Sequence, residues 1–171
     1  MDSKTTLRQQ MQTFHGIMES AIGDCNEALM AHSFAGGKVN SIAAIYAHTV
    51  MSEDGLLNGL VRGGTPLYYR DGWAGKIALD MPRGSMEPNW DVAYDPALFR
   101  QYAAAVYAET DTYLASVSDD ELAKIVDAGF APAMPVESFV ANILAWHVAT
   151  HQGEISALKG AQGVEGLVFG H

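Results

Sequence analysis

In the stretch AWHVATHQGEISALKG, His147 and His151 stand four residues apart. On a helix both imidazoles leave one face on adjacent turns and point at one place, the arrangement in which neutral imidazoles bind a divalent ion. Val140, Leu144, His147, His151, Ile155 and Leu158 follow at steps of four, three, four, four and three, so the spacing predicts the pair inside an apolar stripe, turned toward the core. A buried imidazole brings two nitrogens that need partners, and an unpaired buried polar group costs about 1–3 kcal/mol. Carbonyls, waters or carboxylates satisfy such a pair, and so does a metal; the two histidines leave both readings open.

Two nitrogens seldom make a site, and a facing helix must add a donor. His48, beside Ile45 and Met51 and on a flank of small residues (Ala44, Ser52, Gly55, Gly59), is the candidate third ligand. His15, one turn from Met11 and Met18, is a lesser fourth contributor, while His32 near a helix end and His171 at the last position read as solvated. Met11, Met18, Met51 and Trp146 read as core or groove lining. Cys25 has no basic neighbour in sequence to lower its pKa and reads as a small buried hydrophobe. HVATH lacks the Glu of the H-E-x-x-H metalloprotease pattern, and no Glu is followed three residues later by His, as di-iron bundles require. The glycines of GAQGVEG follow a helix instead of opening one, so they read as a helix stop and not a phosphate loop.

Four long segments carry helical periodicity. The first places Leu7, Met11, Phe14, Met18, Ile22, Cys25 and Leu29 on one face and is expected to end at Ala35-Gly36-Gly37. The second starts at about Asn40 as N-cap and stops at Gly63-Gly64-Thr65-Pro66. The third opens with Asp95-Pro96 and carries Phe99, Tyr102, Val106, Tyr113 and Val117. Ser118 and Glu121 then form a capping-box pattern ahead of a short helix, and the fourth long helix runs from just after Pro135 to Gly160, with Lys159 in its last turn. Gly63 to Asn89 is a long connection in which YYRDGWAGKIALDM is the one place for a short hairpin. The chain therefore reads as all-α: one domain over residues 1–171, a four-helix bundle with a long loop between the second and third helices and a short helix before the fourth.

Ten Lys and Arg against twenty Asp and Glu, a formal charge of -10, with no basic cluster, argue against nucleic acid as a partner. No apolar run approaches the ~20 residues of a membrane span, and MDSKTTLRQQMQTF lacks the apolar segment of a signal peptide. A single cysteine forms no internal disulfide, and a cytoplasmic protein is expected.

One histidine in the second helix, His48, followed in the fourth by H-x-x-x-H-x-G-[QE]-I, here His147, His151, Gly153, Glu154 and Ile155, resembles the DinB-like superfamily of metal-binding four-helix bundles. The likeness covers nearly the whole chain. It implies an up-down-down-up bundle, often a homodimer, in which His48, His147 and His151 hold one divalent ion such as zinc, nickel or iron. Characterised relatives include S-transferases that use bacillithiol or mycothiol and a mycothiol-dependent maleylpyruvate isomerase. The expected activity is thus a metal-dependent attack of a low-molecular-weight thiol on a small electrophile. Trp73 and Trp90, in or beside the Gly63–Asn89 loop, are the expected wall of the site, and Glu154, at a position where relatives often carry Gln, would either orient a ligand histidine or add negative charge near the ion. Two alternatives keep the same ligands: a hydrolase in which water on the ion attacks, with Glu154 better placed than Asp54 to act as base, and a non-catalytic metal-binding or dimerisation module.

Overall fold

Short oxygen-bearing side chains set where the helices of this chain begin. The computed structural model describes residues 2–34, 38–80 and 90–167. In chain order the elements are α1 (Ser3–Gly23), α2 (Glu27–Ala31), α3 (Ile42–Asp54), which continues as a π-helix over Gly55–Val61, α4 (Leu67–Arg70), α5 (Trp73–Ile77), α6 (Pro96–Ser116) and α7 (Asp119–Ala123). A two-residue antiparallel ladder, Ile125–Val126 (β1) with Met134–Pro135 (β2), precedes α8 (Val136–Phe139), a π-helical segment Val140–Leu144 and α9 (Ala145–Ala161). Asp2 accepts from the Thr5 amide at 2.8 Å, Asp95 from that of Ala97 at 2.8 Å, and Ser118 from that of Glu121 at 3.2 Å.

The fold is all-α, as the periodicity predicts, with the small ladder as its only strands among the described residues. The long helices α1, α3, α6 and α9 carry the core: α1 packs on α6 and α9, and α3 packs on the same two. α3 is the most enclosed, every residue from Ile42 to Met51 being buried. Apolar residues all round its circumference leave it no solvent face.

Several boundaries differ from the sequence reading, each for a local reason. The first helix stops at Gly23, because Asn26 accepts from the Leu29 amide (2.9 Å) and starts α2 afresh. Buried Lys159 crosses from α9 to close the end of α1, donating to the Ala21 carbonyl (3.1 Å) and the Asp24 carboxylate (2.6 Å). The expected stop at Ala35-Gly36-Gly37 lies outside the described residues. Ser41, not Asn40, caps α3 (Ala44 amide, 3.2 Å); the Asn40 carbonyl oxygen accepts from the Trp90 amide at 2.7 Å instead. Residues 67–77 form two short helices where a hairpin was expected. α9 passes Gly160 and ends in a Schellman turn at Gly163 (φ 76°), with the Val164 amide on the Lys159 carbonyl and the Gly163 amide on that of Gly160, both 3.0 Å.

The path from α3 into α4 is fixed by Asp54, which is fully buried. Its carboxylate accepts from the Asn58 side-chain amide (2.9 Å), the Leu67 amide (2.8 Å), the Tyr68 amide (2.9 Å) and the Tyr102 hydroxyl (2.8 Å). Pro66, which precedes α4, has no side-chain oxygen to cap it, so Asp54 supplies the cap from thirteen residues upstream. Removal of this carboxylate orphans four buried donors. Asp54→Ala is therefore expected to lower the unfolding free energy by roughly 3 kcal/mol in urea denaturation, against less than about 0.5 kcal/mol for exposed Asp71→Ala.

Candidate metal centre

His48 sits in the middle of α3, and His147 and His151 sit on successive turns near the start of α9. Their Nε2 atoms converge: His48 to His147 is 2.9 Å and His147 to His151 is 3.1 Å. One nitrogen from each ring lies within 4.8 Å of the other two, and among the described residues these three form the group of donors able to share one ion. The rings stand roughly edge to face, at 66°, 86° and 88° to one another. On α9 the buried residues are Ala145, Val148, Gln152, Ile155, Leu158 and Lys159, and the two histidines are partly buried beside them. The expectation that they lie within the stripe is corrected to its edge, which leaves the centre open to solvent on one side.

Hydrogen bonding within the chain does not satisfy this cluster. His151 Nδ1 lies 2.6 Å from Glu154 Oε2, so its proton belongs on Nδ1 and its Nε2 presents a lone pair. Two Nε2 contacts remain, and His147 has one N–H for both. At least one of the two contacts is therefore left without a hydrogen bond. A cation at the centre accepts all three. Nitrogens arranged tetrahedrally around a divalent ion at about 2.0–2.1 Å stand about 3.3 Å apart, a small spreading from the distances observed. The donor set thus fits one divalent ion.

Burial holds two of the three histidines in the neutral form that metal binding requires. It pushes His48 down to about 4, with the nearby His151 adding to the effect, and His147 down to about 3, with His151 and His48 adding. Behind the centre, Glu154 fixes the orientation of His151 from the opposite side of the ring. Outside the cluster, the only side-chain hydrogen bond of His48 among the described residues is a long one, 3.5 Å between Nδ1 and Ser52 Oγ.

The remaining candidates have other roles. His15 is not a fourth ligand: it is buried against Glu53 (Nε2 to Oε2, 2.9 Å) and stacked on Tyr107 at 3.9 Å. Thr110 donates to the other Glu53 oxygen at 2.5 Å. This buried His–Glu–Thr group, which ties α1, α3 and α6, went unread in the sequence, although an acidic pair at the end of a helix apolar all round is itself a signal of buried partners. Gly59 lies against Pro66 and not against a ligand site: a Cβ there would make ordinary contact with Pro66 Cγ at 3.5 Å. Trp73 packs toward Tyr102, 5.8 Å between rings, while the Trp90 backbone is held at Asn40. His32 is exposed, and His171 lies outside the described residues. Cys25 is half-buried with its thiol on the Ala21 carbonyl, and burial pushes its pKa up.

An all-helical protein with three histidines converging from two helices at the edge of its core is the class that fold and site define. The chain belongs to the DinB superfamily, whose family model matches residues 10–155. A crystal structure of a conserved protein from Enterococcus faecalis has the same fold, with a TM-score of 0.73 and 20% identity over 93% of this chain and 96% of that one. No curated protein matches in sequence. No helix among the described residues is long and apolar enough to cross a membrane.

Elemental analysis of protein purified without added metal is expected to find about one divalent ion per chain, absent from His147→Ala and retained in His15→Ala. Glu154→Ala should weaken ion affinity by roughly tenfold, and Glu154→Gln by less, because its amide oxygen still accepts from Nδ1. The two lowered histidines also predict the pH response of metal-free protein. The unfolded chain takes up protons below the ordinary 6.5 while the folded one resists until about 4 and about 3. Their contribution to stability is thus complete above pH 6.5 and is lost as pH falls toward 4 and below. Urea denaturation at pH 7.5 and pH 5 checks this, and histidine NMR shifts should report both rings neutral at pH 6.

Proposed function

We propose that this protein is a metal-dependent enzyme that joins a low-molecular-weight thiol to an electrophilic small molecule, with His48, His147 and His151 as the ion's ligands. The observation that carries the reading is the convergence of three imidazole nitrogens, from His48, His147 and His151, at the edge of the core. Three protein ligands leave a coordination position for a reactant. When bound, the ion supplies a charge that lowers the pKa of a thiol reaching it.

The chain's own groups do the rest. His48, on the enclosed α3, fixes the depth of the centre, and His147 and His151 close it from α9. Burial keeps protons off His48 and His147 at neutral pH, so neither competes with the ion. Glu154 holds one tautomer of His151. In the overall reaction a sulfur–carbon bond forms, the electrophile's leaving group departs with its bonding pair, and the thiol proton passes to solvent.

The carboxylates favour thiol chemistry over hydrolysis. Water as nucleophile needs a base on the open side, but Glu154 sits behind the His151 ring and Asp54 is enclosed by four donors. Protein loaded with zinc, nickel or iron is expected to conjugate at least one member of a panel of biological thiols to a chloroarene or bimane electrophile, and His147→Ala to lose that rate. Failure with every thiol and metal overturns the enzyme reading. A fall in melting temperature on metal removal, with no activity to lose, would then favour a metal-stabilised module.

A further inference from the structure

We propose that a cleft beside the metal centre recognises the carboxylate end of a small aliphatic thiol. This inference rests on the thiol reading above. The cleft has a volume of about 300 Å³ and lies between α9 and the segment leading into α3. Glu154 lines it while holding His151, so the cleft begins one residue from the ligand set. Ile45, Ala157 and Leu158 also line it, as do Lys38, Val39 and Asn40 ahead of α3.

The lining is chemically mixed. Glu154 is already committed to His151. Ile45, one turn before His48, and Leu158 are aliphatic. Ahead of α3, farther along the chain from His48, Lys38 carries the one positive charge of the lining, and Asn40, whose side-chain carbonyl oxygen accepts from the Trp90 amide, adds a polar side chain. A ligand complementary to this lining has a soft, ion-seeking head, a short hydrocarbon body and an anionic oxygen at its tail. In a protein with a net charge of -10, a lone lysine in a cleft is also a local reversal of the prevailing field.

The test compares 3-mercaptopropionate with 2-mercaptoethanol, similar in size but different in charge, by titration into cobalt-loaded protein followed in the visible spectrum. Mercaptopropionate is expected to bind about tenfold more tightly. Lys38→Ala should abolish the difference and leave the affinity for 2-mercaptoethanol unchanged. Equal affinities in the wild type overturn the proposal, and so does a preference that survives in Lys38→Ala, which would report chelation of the ion by the carboxylate. If neither thiol alters the cobalt spectrum, the thiol reading itself has failed, and butyrate titrated into zinc-loaded protein judges the cleft separately. Amide shifts at Asn40 and Ile45 that vanish in Lys38→Ala sustain carboxylate recognition there; no such shifts overturn it.

Discussion

A helix covered on every side has no water for its polar side chains, and α3 is such a helix. His48, Thr49, Glu53 and Asp54 are all buried on it. Each must find partners in the neighbouring elements, and those partners fix how the neighbours stand. Asp54 gathers the start of α4 and a tyrosine of α6. Glu53 gathers His15 of α1 and Thr110 of α6. Thr49 returns its hydroxyl to the Ile45 carbonyl of its own helix at 2.8 Å. His48 is the exception: its Nε2 meets imidazole nitrogens that cannot all be donors. The demand that elsewhere ends in a hydrogen bond ends here in three donors able to share one ion.

The acidic side chains near the centre divide into two kinds of work. Glu53 and Asp54 are enclosed and hold elements together, whereas Glu154 is about half exposed and orients a single ring. None stands where it would take a proton from a molecule arriving on the open side. The thiol reaction proposed above asks for no such base, since a thiol is acidic enough to ionise near a divalent ion, whereas water as nucleophile would need one.

Much of this was legible in the sequence. Period and caps located α6 at Asp95-Pro96 and α7 at Ser118, and the i, i+4 histidines with His48 named the centre. What escaped was non-local. Lys159 was read as a cation near its own helix end, but its ammonium closes α1. Asn40 and Ser41 are both good N-caps, and only the contact with Trp90 decides between them. Residues 67–77 contain no helix long enough to show a period, and their cap is a carboxylate far upstream. The apolar stripe through His147 and His151 placed them one step too deep, because the most buried face of α9 also carries the polar Gln152, whose side chain donates to the Phe14 carbonyl of α1.

The two π-helical segments bear on how such a centre is kept in register. α3 and α9 run antiparallel beside the centre: Ile45, one turn before His48, shares a cleft with Leu158, two turns after His151. Gly55–Val61 after α3 and Val140–Leu144 before α9 therefore lie toward the same end of the pair. A π-helix accommodates one residue more than an α-helix would within its turn, and each residue corresponds to about 100° around a helix axis. The turn before α9 thus acts as an angular setting for both of its histidines at once. Loss of a single residue there would swing the pair away from His48 while leaving their own spacing intact, so an insertion or deletion in Val140–Leu144 is a way for a chain of this fold to keep its helices and lose its centre.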